Sequence, residues 1–271
     1  MQIKGKTAVI TGAGSGIGQA VAAELSRREV KALMLADISS SVEQVAASIN
    51  DTVGSRLAHA FIGDVTDVNF RRHVFDEAEK RASVPGICVP AAGITRDALS
   101  VRLDKTSGRA MLYPEADFNL VLKVNLVSPA YWALEMVARI AEDRHRRGLG
   151  PWTHGEPILG TVVFIGSVSS QGNKGQISYA ATKRGLEGVA STMMKESMYW
   201  GVRCGVIHPG FTDTPMVRKM GEEYIQKNII PYTQLKRLIK PEEIADAIVF
   251  MLSNSALSGE LWADAGWHPT A

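Results

Sequence analysis

Tyr179 and Lys183 stand four residues apart in the run Tyr179-Ala180-Ala181-Thr182-Lys183. On a helix that spacing is about one turn, so a phenol and an ammonium share a face. A cation beside a phenol favours the phenolate, and the tyrosine pKa is expected to fall toward working pH. A phenol tuned in this way gives a proton to a carbonyl or takes one from an alcohol. Ser167 lies twelve residues upstream, after an apolar run, and its hydroxyl can hold the reacting oxygen beside the phenol. Neither feature is specific alone: a YxxxK match is common by chance, and such a serine is more often a cap.

Another constellation opens the chain: Thr11-Gly12-Ala13-Gly14-Ser15-Gly16-Ile17-Gly18. Its pattern is TGxxxGxG, on Gly12, Gly16 and Gly18, and not a literal GxGxxG. Between a strand and a helix, such a turn lets backbone amides approach a pyrophosphate at a helix N-terminus. Asp37 follows Gly18 by nineteen residues. A carboxylate there accepts both ribose hydroxyls of an adenosine and repels a 2′-phosphate. Ser15 precedes Gly16, and no Lys or Arg lies in the turn to neutralise such a phosphate. Both features favour NAD over NADP; the competing reading makes Asp37 the N-cap of the next helix. Asp64-Val65 offers a carboxylate and an amide to the adenine edge.

These residues need a frame. Apolar runs at 7–11, 32–36, 57–62, 87–90, 160–165, 203–208 and 260–263 read as strands, several without polar alternation, as in a sheet buried on both faces. Helical patterns fill 17–28, 40–49, 67–81, 118–144, 179–200 and 241–252. The βα alternation predicts a single-domain Rossmann-type α/β fold over 1–271, a doubly wound parallel sheet flanked by helices. Segment 211–240 follows a strand and reads as a substrate lid. Segment 139–157, rich in Arg, His and Gly, reads as a helix end and an exposed basic loop. A solvated loop is the leading reading, an anionic partner the other. Pro129 lies four residues after Asn125 and cannot donate to its carbonyl. Either that carbonyl is left to bind a water, or Pro129 merely ends or restarts a helix.

Composition excludes other classes. Of 271 residues, 45% are hydrophobic, and 30 Lys+Arg nearly balance 28 Asp+Glu. That is the balance of a soluble globular protein, with no global pull toward nucleic acid or anionic lipid. No stretch reads as a signal peptide or membrane span. Cys88 and Cys204, both in apolar runs, read as inert core thiols in a reducing, cytoplasmic setting. His59, His73, His145, His154, His208 and His268 show no ligand spacing, so no metal site is expected.

Taken in order, TGAGSGIG, Asp37, Asp64-Val65, Asn125 in KVNLVSP, Ser167, YAATK and Pro209-Gly210 in HPGFTDTPM resemble the short-chain dehydrogenase/reductase family over nearly the whole length. The resemblance implies Tyr179 as acid/base and Lys183 also holding the nicotinamide ribose. It implies Ser167 orienting substrate and Asn125 anchoring a relay water. Pro209, Gly210, Thr212 and Thr214 would flank nicotinamide and pyrophosphate. The cofactor cradle would comprise Gly12, Ser15, Gly16, Ile17, Gly18, Asp37, Ile38, Asp64, Val65, Ala92 and Gly93. One departure is clear: the family usually has Asn-Asn-Ala-Gly after its fourth strand, and here Pro90-Ala91-Ala92-Gly93 stands. The side-chain hydrogen bonds of two amides that tie the central strands must then be replaced or absent.

Ala92–Asp97 (92–97) and HPGFTDTPM are most similar to 3-oxoacyl-[acyl-carrier-protein] reductases of fatty acid metabolism. The expected reaction interconverts a keto group and a secondary alcohol with NAD(P). Acyl thioesters, on acyl carrier protein or CoA, or simple ketones are the substrates implied. An NAD-dependent 3-hydroxyacyl-CoA or other secondary-alcohol dehydrogenase is the alternative. A catalytically silent dinucleotide sensor is the alternative of another class. The resemblance also implies a homotetramer, built through the helices at 118–144 and 179–200 and the stretch 262–267.

Overall fold

The computed structural model describes residues 1–267, so His268 lies outside the described residues. The chain runs β1 (Thr7–Thr11), α1 (Gly16–Ser26), β2 (Ala32–Asp37), α2 (Ser41–Val53), β3 (Ala58–Ile62), α3 (Val68–Arg81) and β4 (Ile87–Pro90). A small hairpin, β5 (Val101–Leu103) and β6 (Ala110–Leu112), precedes α4 (Glu115–Leu122) and α5 (Ser128–Arg146). Then come β7 (Gly160–Ile165), α6 (Ile177–Glu196), β8 (Val202–Pro209), α7 (Pro215–Arg218), α8 (Glu222–Asn228), α9 (Pro241–Ser253) and β9 (Gly259–Ala263).

Seven strands form one parallel sheet in the order β3-β2-β1-β4-β7-β8-β9. The order reverses at β1/β4, so the crossovers cover both faces and ligands bind at the carboxyl ends beside that point. Side-chain alternation sorts the two cores. Ala8, Ile10, Leu33 and Leu35 join α1, α2 and α9 on one face. Val9, Met34 and Ala36 join α3, α5 and α6 on the other. Every residue of β1 is buried, which is why its apolar run shows no polar alternation. Cys88 and Cys204 are buried and free, and burial pushes both thiols up, Cys204 to about 12. That suits inert core residues.

The long helix at 118–144 is not regular. A π turn, Lys123–Val127, joins α4 to α5, and the Ser128 amide donates to the Lys123 carbonyl, five residues back. Pro129 lies at the second position of α5, directly after the π turn. The chain therefore passes the proline by widening one turn, neither stopping nor simply bending. Glu115–Arg146 is long and apolar enough to cross a membrane by length and composition. Its face with Trp132, Ala133, Met136 and Ile140 is core here.

Segment 139–157 is a helix end and a largely exposed loop, as expected, but Arg144 departs from the pattern. Arg144 is 1% exposed. Its guanidinium donates to the Gly150 carbonyl at 2.9 and 2.7 Å and to both Glu156 oxygens at 2.6 and 3.1 Å. Arg139 meets Asp76, Glu79 and Glu135, and Arg146 and Arg147 meet Asp143. Charges that sequence counting leaves free for an anionic partner are matched within the fold. The 211–240 segment folds on itself: Ile225, Ile229 and Leu238 form a small core with Phe211, Val217 and Met220 against it.

The β5–β6 hairpin was not expected. Asp104 Oδ1 accepts from the Thr106 and Ser107 amides, and Gly108 has φ of 67°. This turn chemistry is readable in sequence. All six strand residues are exposed, however, so no burial period marks them.

Candidate active site

The glycine turn is built by close approach. Gly12 has φ of 64°, and a Cβ there would lie 2.7 Å from the Ala92 amide nitrogen. At Gly18 a Cβ would overlap the Gly12 carbonyl. Any larger residue at either place pushes α1 or β4 off the turn. Thr214, which caps α7 by accepting from Val217, packs its side chain against Gly16. Ser15 opens α1 and Ile17 packs into the core. Asp37 ends β2 and is not the N-cap of α2, which is Ser40. Its carboxylate is aimed by two amides, Gly14 on Oδ2 and Ser39 on Oδ1, each at 2.9 Å. Ile38 beside it is exposed. The Asp64-Val65 corner is stitched to α5: the Val65 carbonyl accepts from Ser128 Oγ and Trp132 Nε1, both at 2.8 Å.

Pro90-Ala91 replaces the expected asparagines by backbone means. The Thr11 carbonyl accepts from the Ala91 amide, one residue past the proline, and Thr11 Oγ1 accepts from the Ala92 amide, both at 3.2 Å. The ladder from β4 to β7 stops at Cys88.

One residue further, Gly93 borders the chemistry. A Cβ there would lie 3.5 Å from Asn125 Oδ1 and 4.0 Å from Lys183 Nζ. Asn125, fully buried in the π turn, clamps the loop after β4: its Oδ1 accepts from the Ile94 amide at 2.9 Å and its Nδ2 donates to the Ile94 carbonyl at 2.8 Å. Tyr179 enters on the first turn of α6, with Lys183 one turn later. The Lys183 ammonium lies 5.3 Å from the centre of the Tyr179 ring and donates to the Ile165 carbonyl at 2.7 Å. Ser167 follows β7, and its hydroxyl stands near enough to the Tyr179 phenol to favour the phenolate. It also accepts from the Ser169 amide at 3.1 Å. On β8, Pro209 leads to Gly210, whose amide donates to Ala263, and to Thr212, whose hydroxyl donates to the Gly210 carbonyl. Ala92 touches the glycine turn and Gly93 lies beside Asn125 and Lys183, so two motifs far apart in sequence adjoin through consecutive residues.

The electrostatics correct one expectation. The protein's own groups push the Tyr179 phenol up to about 12, chiefly by burial, against the lowering by Ser167 and with Asp97 adding to the rise. Burial takes Lys183 down to about 8. The anticipated lowering is not seen: desolvation of the phenol dominates, and the ammonium lies 5.3 Å from the ring centre. At neutral pH Tyr179 holds its proton, as a general acid must.

Sequence reasoning missed three contributors. Asp97 bears on the phenol and accepts from Gln176 Nε2 at 3.0 Å. Tyr113, at the foot of the hairpin, donates to the Arg96 carbonyl at 2.6 Å and accepts from Ser178, tying the hairpin to the start of α6. His208 lies under Ser167, its Nδ1 3.3 Å from the Ser167 amide nitrogen. Only the hairpin's turn residues gave a local signal. A cavity of 340 Å³ between α1 and 211–240, lined by Ser15, Gln19, Asp213 and Pro215, includes none of Ser167, Tyr179 or Lys183.

The family model described as short chain dehydrogenase matches residues 6–225. This chain belongs to the short-chain dehydrogenases. Among curated relatives, the 3-oxoacyl-[acyl-carrier-protein] reductase FabG of Escherichia coli (strain K12) is 30% identical over 263 residues, covering 96% of each chain. A human 3-oxoacyl-[acyl-carrier-protein] reductase is 32% identical, covering 94% of each. The (3R)-3-hydroxyacyl-CoA dehydrogenase of Canis lupus familiaris is 29% identical, covering 94% of this chain and 92% of its own. A crystal structure of a ribose-5-phosphate isomerase from Brucella melitensis 16M matches with TM-score 0.75 and 25% identity, over 97% of this chain and 92% of that one. An isomerase by name on the same fold shows why chemistry is argued from residues. This short-chain dehydrogenase is an oxidoreductase acting between keto and alcohol groups with NAD(P). The Gly12/Gly18 cradle and the oriented Asp37 carboxylate fit such a dinucleotide.

Proposed function

We propose that this enzyme reduces the keto group of 3-oxoacyl thioesters, carried on CoA or acyl carrier protein, with NADH. The observation that carries the reading is Ser167 beside the Tyr179 phenol, with the Lys183 ammonium over the Tyr179 ring from the same helix face. When bound, the nicotinamide supplies the hydride. Ser167 holds the keto oxygen, and Tyr179 delivers its proton to that oxygen. Lys183, adjoining Gly93, reaches the ribose from the floor of the cleft. The Asn125 carbonyl loses its α-helical donor at Pro129, which supports its role in holding a relay water. Val127, Tyr131, Leu134 and Ala138 form an exposed apolar stripe on the α5 rod, and this supports the homotetramer. The 211–240 unit, with Thr214 against Gly16, supports a lid over the pyrophosphate.

The test is an initial-rate comparison of NADH and NADPH with acetoacetyl-CoA. NADH is expected to be preferred, and Asp37→Ser should reduce the NADH/NADPH ratio of kcat/KM by about tenfold or more. Equal use of both by the parent enzyme removes the cofactor assignment; no turnover of any keto thioester removes the substrate.

Lys183 also sets a pH dependence. Below about pH 8 its ammonium persists; above it the charge is lost, and NADH affinity should decline from pH 8 to 10. The Kd for NADH, followed by fluorescence, checks this, and Lys183→Met should flatten the profile. The same shift acts on stability: between pH 8 and the ordinary lysine value of 10.5, the unfolded chain binds the extra proton, so this group's contribution makes unfolding harder as pH rises.

A further inference from the structure

The histidines show no ligand spacing in sequence, yet the fold gathers one of them with two carboxylates. His208 on β8, Glu187 on α6 and Glu260 on β9 bring one ligand atom each to within 4.8 Å of one another. His208 Nε2 lies 3.2 Å from Glu260 Oε2 and 3.9 Å from Glu187 Oε1. His208 is fully buried and Glu187 is 8% exposed. Despite these distances, neither His208 Nε2 nor Glu187 Oε1 has a hydrogen-bond partner among the described residues. Two buried polar atoms thus converge on one point without satisfying each other, and a leftover of that kind requires an explanation.

The surroundings prepare the three side chains as ligands. The His208 ring stacks on Trp262, with centroids 4.1 Å apart and planes 13° apart. Its Nδ1 is 3.2 Å from the Ser167 carbonyl. The Ser167 amide also lies 3.3 Å from Nδ1 and donates to it in the other tautomer; metal binding selects the Nδ1–H tautomer, which donates to the carbonyl and turns the Nε2 lone pair to the carboxylates. A histidine bound through one nitrogen, with the other held by a backbone carbonyl, is the usual second-layer arrangement of a metal ligand. The other Glu187 oxygen, Oε2, is held by Arg184 at 2.7 Å, which aims Oε1 inward. A tetrahedral ion with bonds of about 2.0–2.1 Å separates its donor atoms by roughly 3.3 Å, close to the spacings around Nε2. Glu260, at the sheet edge and partly exposed, gives an ion its way in.

We propose that His208, Glu187 and Glu260 bind a divalent transition-metal ion of the zinc class, pinning α6, β8 and β9 together behind Ser167. The site adjoins the catalytic cleft through the Ser167 backbone, and its reading does not depend on the substrate.

The full-length, tag-free protein, dialysed against chelator, is titrated with Zn²⁺ by calorimetry, with melting temperature followed alongside. One Zn²⁺ per chain should bind and raise the melting temperature in proportion to the logarithm of its concentration. Co²⁺ in its place should give a visible ligand-field spectrum. Glu260→Gln, at the partly exposed edge, keeps the buried pair and should fold; it should weaken Zn²⁺ affinity by at least 10–100-fold. His208→Asn should abolish binding, and should that variant fail to fold, Glu260→Gln decides. Absence of stoichiometric Zn²⁺ binding, or parental affinity in Glu260→Gln, overturns the site.

Discussion

Tyr179→Phe is expected to lower kcat for keto-thioester reduction by about 10²–10⁴-fold, while the Kd for NADH stays within roughly twofold. The loss corresponds to about 3–5 kcal/mol of transition-state stabilisation. Phenylalanine keeps the ring that Lys183 faces and removes only the oxygen that Ser167 meets. Burial holds that oxygen protonated at neutral pH, so in the reducing direction Tyr179 is already loaded with the proton it delivers. Stopped-flow turnover and fluorescence titration of NADH separate chemistry from binding. Undiminished turnover would assign the acid elsewhere; an equal fall in NADH affinity would make Tyr179 a packing residue. A protein that binds NADH and reduces no ketone would point instead to a dinucleotide sensor.

Arg144→Ala should destabilise the fold by roughly 3 kcal/mol, because it removes a buried side chain with its bonds to the Gly150 carbonyl and Glu156 and leaves a hole at the end of α5. For a chain of this size that lowers the melting temperature on the order of 10 °C. Scanning calorimetry of the variant beside Arg147→Ala gives the contrast. Arg147 is exposed and pairs among the described residues with Asp143 at 3.3 Å alone, so its loss should cost little. Similar melting points for the two variants would refute the structural role of Arg144. The pair carries a pH signature as well. Arg144 holds the Glu156 carboxyl down to about 2, below its ordinary 4.5. Its contribution is therefore complete above pH 4.5 and is lost as pH falls toward 2.

Most of the frame was legible because it is local. The seven strands fall where apolar runs were read, within a residue or so at each end. The glycine turn was legible because its spacing serves a strand-to-helix corner. Tyr179 and Lys183 were legible because one helical turn places them together whatever packs around them. The hairpin escaped because its strands bury nothing. Lengthening of the rod through Asn125 was half legible: Pro129 announced a disturbance, and only the packed helix showed a π turn. Arg144 read as loop charge because sequence does not tell that Glu156 and the Gly150 carbonyl fold back over it.

By itself the sequence determined the order of strands and helices, the dinucleotide turn and the shared face of phenol and amine. Each follows from backbone periodicity and side-chain type over a few residues. Tertiary structure decided that Tyr179 is a strong proton holder, that Arg144 is core, and that His208 meets Glu187 and Glu260. Those outcomes depend on desolvation and on distances between α5, α6, β8 and β9, which exist only once the elements pack and exclude water.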